Sequence, residues 1–121
     1  MRVQPNILNK YYLYRHIRED KNIPFYIGIG KKRSREIGGI RTEYYRAFIT
    51  TRNCIWKSIV NRTSYFIDIV FETDDYELIL QKEIEFIRLY GRIDQGDGTL
   101  SNQTDGGEGI TNLSLKSRDK I

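Results

Sequence analysis

The sequence predicts an α/β fold, a small three-stranded antiparallel sheet flanked by helices in an α/β sandwich, and three observations carry that reading. Two runs rich in aromatic and β-branched residues, YYLYRHI at 11–17 and PFYIGI at 24–29, flank the polar segment REDKN, as in a hairpin. A third run of the same character, SYFIDIVF, covers 64–71. Residues 76–90 instead repeat their apolar side chains at helical spacing, with Asp74 or Asp75 before them as a cap and Gly91 after them as a stop.

Each element follows from its residues. Side-chain alternation puts Tyr12, Tyr14 and His16 on one face of the first strand and Tyr26, Gly28 and Gly30 on one face of the second. The opposite face collects Leu13, Ile17, Phe25, Ile27 and Ile29 and is the expected core. After Gly30, KKRSRE predicts a short basic helical turn ended by Gly38 and Gly39. Thr42 is placed to cap a helix reaching Phe48, and a second helix is expected over Asn53 to Val60, buried through Trp56, Ile59 and Val60. From residue 92 the chain is dense in Gly, Asp, Asn and Thr with no apolar period, which predicts loop. The expected order is β-β-α-α-β-α with an irregular tail, in one domain over 1–121.

Composition narrows the function classes. A chain of 121 residues with 39% apolar content can bury one core but not two. The lone cysteine, Cys54, forms no intrachain disulfide and no Cys-rich zinc site, so a reducing cytoplasm is the expected setting. No apolar run approaches the roughly 18 residues of a membrane span, and MRVQPNILNK has no signal-peptide core, so no membrane partner is expected. The net charge of +4 is unevenly spread: residues 1–62 carry 14 Lys or Arg against 4 acids, a balance of +10. The remainder carries 6 bases and 12 acids, a balance of −6. A half-chain this basic suits a polyanion such as nucleic acid, or a solvated basic surface with no partner.

Glu83 breaks the pattern of its own helix. At about 100° per residue, Tyr76, Ile79, Leu80, Ile84, Phe86, Ile87 and Tyr90 form one apolar face, and Glu83 falls within it. Glu85 points the other way, among Gln81, Lys82 and Arg88. A carboxylate in an apolar stripe is costly unless it is paired or holds a cation. A salt bridge to one of the arginines and a functional role are both open at this point.

These residues also resemble a known family. Tyr12-Leu13-Tyr14, then eleven residues, then Tyr26-Ile27-Gly28 is similar to the paired motifs of the GIY-YIG nucleases, with Tyr-Leu replacing Gly-Ile in the first. Glu83 followed by Phe86-Ile87 is similar to that family's helical Glu-x-x-Leu-Ile, and Asn102 sits where the family places an asparagine after the helix. The segment RNCIWKSIVN at 52–61 resembles a helix found in a subset of these enzymes, and TNLSLKSRDKI at the end faintly resembles the start of a DNA-binding helix in homing-type members. The matches cover residues 11–109.

The resemblance implies a metal-dependent DNA endonuclease. Glu83 would hold one divalent ion, Mg²⁺ or Mn²⁺, since a lone carboxylate with water and a phosphate oxygen suits a hard octahedral cation. The family's arginine lies on a helix about two turns after YIG; a strict count lands near Glu36, so the basic cluster Lys31, Lys32, Arg33 and Arg35 supplies the candidates, Arg33 before Arg35. That arginine would clamp the phosphate with its planar fork. Tyr14 would act as general base or water-positioner, a phenol able to act as base only if nearby cations lower its pKa. Tyr26 would hydrogen-bond the phosphate or the water, Asn102 would brace the site or contact the scissile strand, and His16 would relay a proton or, as a lone strand histidine more often does, serve the structure. Arg52 and Lys57 join the basic cluster as candidate nucleic-acid contacts, while Tyr11, Tyr12, Trp56 and Cys54 are expected to do no chemistry. Two other classes are weighed against this one: a catalytically inactive nucleic-acid-binding module of the same fold, and a protein-interaction domain.

Overall fold

The computed structural model describes residues 9–109, and the tail segment TNLSLKSRDKI lies outside them. Strands β1 (Tyr11–Arg18) and β2 (Ile23–Lys31) form the expected hairpin, and β5 (Tyr65–Thr73) pairs with the other edge of β1. The sheet is three-stranded, antiparallel and ordered β2-β1-β5. Helix α2 (Cys54–Val60) starts on Asn53, whose side chain accepts the Trp56 N–H. Helix α3 (Tyr76–Tyr90) starts on Asp75, which accepts the Leu78 N–H, and ends at Gly91. Each cap satisfies a backbone donor that a helix start leaves open. No helix among the described residues is long and apolar enough to cross a membrane.

The segment between β2 and the first helix departs from expectation. KKRSREIGGIRT forms a two-stranded ribbon, β3 (Arg35–Ile37) with β4 (Ile40–Thr42), and no helical turn. Gly38 and Gly39 have φ of 58° and 82°, so the pair makes the tight turn that joins two strands with matching twist. The following helix, α1, is also shorter than expected: it spans Tyr45–Phe48, with Tyr44 at its N-cap position. Thr42 accepts the Tyr44 N–H one step earlier, in a turn, and does not cap the helix.

The sheet separates two different interiors. On one face Leu13, Ile27 and Ile29 meet Ile79 and Ile87 of α3, with Leu100 closing the end. Each such fully buried aliphatic side chain contributes about 1.5–3 kcal/mol. On the other face Tyr12 and Tyr14 pack on Ala47 of α1. Phe25 also belongs there, with Trp56 and Ile59 of α2, and not with Ile27 and Ile29. A bulge explains the switch: His16 pairs with Tyr26 but Ile17 pairs with Pro24, so Phe25 is the extra residue and the alternation slips by one.

Candidate active site

The tyrosine face of the sheet is built by glycine. Tyr14 pairs with Gly28 and Tyr12 with Gly30, and a Cβ at either glycine would overlap the ring of its partner. Both phenols therefore lie across β2 with their hydroxyls over the two glycines, and both are buried. There the Tyr12 hydroxyl accepts the Arg46 N–H at 3.1 Å, which ties α1 to the sheet. Tyr12 thus packs, as expected, and also positions α1.

Arg52 fills the space over the same face. Its guanidinium lies 4.6 Å from the Tyr26 ring centroid, 5.7 Å from that of Tyr14 and 5.8 Å from that of Trp56. Two of its N–H groups donate to the carbonyls of Ile49 and Arg46, which fixes the fork in place. Tyr14 is almost completely buried, and that burial pushes its pKa well above the ordinary phenol value even though Arg52 and Arg46 oppose the rise. The cations that the sequence asks for are present, but they come from the α1–α2 region and do not bring Tyr14 down.

His16 shows the opposite of a relay. Trp56 donates its indole N–H to His16 Nδ1 at 2.9 Å, and His16 Nε2–H donates to the Ala47 carbonyl at 2.8 Å. Both ring nitrogens are committed, and burial, with the nearby Arg52 charge, pulls the pKa down to about 3. A neutral histidine with both nitrogens engaged fits the structural of its two expected roles.

Asn102 braces the other side of β2. Its amide takes both backbone groups of Ile27: Oδ1 accepts the N–H at 3.0 Å and Nδ2 donates to the carbonyl at 2.8 Å. Ser101 donates to the Phe25 carbonyl through both its N–H and its hydroxyl. The edge of β2 is thereby closed as a neighbouring strand would close it. Of the two roles expected of Asn102, the bracing one matches these bonds, since its side chain is spent on the backbone.

Glu83, on α3, faces the loop that follows Asn102, beside Gly106 and Gly107. It is half-buried, and no arginine or lysine pairs with it among the described residues. Oε1 accepts the Gly107 N–H at 2.9 Å, while Oε2 has no donor among the described residues. Burial pushes its pKa up; the Gly107 bond and the Arg46 charge act against that, and the Glu108 charge adds to it. The structural ion pair left open by the sequence is thus not formed among the described residues.

Arg46 is a candidate that counting along the chain did not reach. Its charge acts on Glu83, Tyr14 and Tyr12 alike, and its guanidinium has no carboxylate partner among the described residues. Arg33 and Arg35 lie instead on and beside the exposed ribbon, where Arg35 stacks on the Tyr45 ring at 5.1 Å. Lys32 is spent on Glu72 at 2.6 Å, Lys31 is exposed, and Lys57 points outward from α2. The ribbon inserts between β2 and α1, so a count from Gly28 runs out before the helix begins. The double glycine was the available signal, because a count restarted after Gly39 reaches the next helix and Arg46.

Among the described residues no three His, Cys, Asp or Glu side chains converge. What is present is a single oxygen donor, Glu83, with Glu108 acting on it electrostatically. One carboxylate with no thiol or imidazole beside it suits a hard cation that keeps a shell of water and phosphate oxygens. No family model, curated protein or solved structure matches the chain.

Proposed function

We propose that this chain is a metal-dependent endonuclease that hydrolyses DNA phosphodiester bonds through a site of the GIY-YIG kind, and that its small sheet and helices are a version of that fold. The observation that carries the reading is the pairing of two unmatched charges. Glu83 sits in an apolar stripe with no ion-pair partner among the described residues, and the guanidinium of Arg46, equally without one there, contributes a charge that favours the ionised carboxylate. A phosphate on the arginine fork and a divalent ion on the carboxylate would answer both unmatched charges.

Hydrolysis needs a new P–O bond from water, departure of the ester oxygen, and relief of the charge on the phosphoryl oxygens. Arg46 supplies that relief by donating two N–H groups to the phosphate, with the Arg52 charge behind it. Tyr14 and Tyr26 orient the attacking water through their hydroxyls; with its pKa raised, Tyr14 acts as a neutral phenol and the water gives its proton to bulk solvent. A divalent ion bound at Glu83 would polarise the phosphate and stabilise the departing alkoxide. Asn102 holds β2, and so Tyr26 and Gly28, in register with β1.

The test is supercoiled plasmid incubated with the protein and Mg²⁺ or Mn²⁺, with an EDTA control. Metal-dependent conversion to nicked and linear forms is expected. Salt-sensitive DNA binding with no conversion under either metal would support the catalytically inactive module instead, and absence of binding would remove nucleic acid as the partner.

A further inference from the structure

The β3–β4 ribbon supplies no residue to the candidate site. It is built to be seen from outside: Arg35, Glu36, Ile40 and Arg41 are exposed, and Ile40, at the turn, keeps 67% of its surface in solvent. A two-stranded ribbon is marginal by itself in water. This one leans on the rest of the molecule at its base, where Arg33 bridges Tyr44 and Arg35 stacks on Tyr45. The base therefore lies beside Arg46 on α1, one residue from Tyr45.

Its charge is one-sided. Between Lys31 and Thr42 there are five basic residues and a single acid, Glu36. Glu36 meets Arg41 only at 4.0 Å, with both side chains well exposed, and Lys32 is taken by Glu72. Lys31 and Arg33 have no anionic partner among the described residues. Register places Arg35, Ile37, Ile40 and Thr42 on one face of the ribbon and Glu36 and Arg41 on the other.

We infer that the ribbon is a DNA-reading element that enters the major groove of duplex DNA beside the phosphate held at Arg46; this rests on the nuclease reading above. The major groove, about 12 Å wide, admits a two-stranded β-ribbon, and the minor groove, about 6 Å wide, does not. Arg33, Arg35 and Arg41 would straddle the walls and meet phosphates of both strands. Ile40 at the tip would make apolar contact with base edges, the thymine methyl being the apolar feature the groove offers. A ribbon anchored next to the site would thus set which base pairs lie at a fixed offset from the cut.

The test uses the full chain carrying Glu83→Gln, so that bound DNA stays intact. Affinity for a 20-base-pair duplex, followed by fluorescence anisotropy across a salt series, is compared with that of a chain also carrying Arg33→Gln, Arg35→Gln and Arg41→Gln. The ribbon variant should flatten the slope of log affinity against log salt by about 2 to 3, since each lost phosphate contact removes about 0.9. Guanine N7 methylation by dimethyl sulfate, a major-groove reaction, should be blocked over a few base pairs in the parent complex and restored by Ile40→Ser with the salt slope unchanged. An unchanged slope in the triple variant, or N7 positions that stay reactive in the parent complex, would overturn the ribbon inference while leaving the nuclease reading intact. A parent chain that shows no salt-dependent binding to the duplex would overturn both.

Discussion

The two faces of the sheet are made by alternate residues of the same strands, yet they obey different rules. Under α3, Leu13, Ile27 and Ile29 meet Ile79 and Ile87 in a dry aliphatic layer that needs only shape and apolarity. On the other face Tyr12, Tyr14, His16 and Tyr26 carry hydroxyls and a ring nitrogen, and the residues that satisfy or charge them, Arg46, Arg52 and Trp56, come from α1, α2 and the segment between. The first face stabilises the fold through periodic burial; the second is held by specific polar pairs that only the assembled chain brings together. Glu83 belongs to the first face by its helix, while the Arg46 charge that acts on it comes from the second.

Substitutions should separate the faces by size and kind of effect. The largest is expected for Glu83→Gln, which keeps the volume and loses the charge: cleavage at saturating duplex should fall at least about 10³-fold, more than the roughly 10² to 10³ typical of one lost electrostatic donor. Because Gln still accepts the Gly107 N–H, circular dichroism and DNA affinity should be unchanged. Arg46→Ala comes next, with a loss of about 10²- to 10³-fold in single-turnover rate, against a few-fold for Arg33→Ala or Arg35→Ala once DNA is saturating. If the ribbon arginines collapse the rate and Arg46 does not, the phosphate sits elsewhere.

Tyr14→Phe should cost about 10²-fold, the low end for a group assisting proton transfer, because a phenol with a raised pKa orients water and does not ionise to take its proton. A pH–rate profile distinguishes the roles: removal of the hydroxyl should lower the whole curve without removing an ascending limb.

The smallest effect is on stability and belongs to His16. Its folded pKa of about 3 lies far below the ordinary 6.5, so the unfolded chain binds a proton that the folded chain refuses. The stabilisation from a neutral His16 is complete above about pH 6.5 and is lost as pH falls toward 3. Between pH 7.5 and pH 5 the loss should reach about 2 kcal/mol in urea unfolding. His16→Gln, which can keep one acceptor and one donor, should flatten that pH dependence and leave turnover near the native rate. A large loss of turnover with unchanged stability would restore the proton relay.

The difference between the faces also explains what the sequence alone could disclose. Helix α3, with its Asp75 cap, its Gly91 stop and the misplaced Glu83, could be read in advance because each feature depends on residues within a few positions. The Tyr14–Gly28 and Tyr12–Gly30 pairs were legible as shared faces of a hairpin. The bulge that turns Phe25 toward Trp56 was not, because nothing local marks the slipped residue. The ribbon left a signal, Gly38-Gly39 between two isoleucines, that serves equally as a helix stop and as a hairpin turn; surrounding it with basic residues favoured the wrong choice. Arg52, offered by the sequence as a nucleic-acid contact, instead stacks on Tyr26 and donates to the Ile49 and Arg46 carbonyls, a placement that depends on the fold and leaves no local signature.

Metal at Glu83 is the point on which the account turns. Free Mn²⁺ followed by electron paramagnetic resonance, in a titration of the protein bound to an uncleavable phosphorothioate duplex, measures it without relying on turnover. Native protein should take up one Mn²⁺ per chain beyond that held by the DNA alone, and Glu83→Gln should lose that uptake while binding the duplex equally well. Equal uptake by the two proteins, or none by either, would contradict the assignment of Glu83 as the metal ligand.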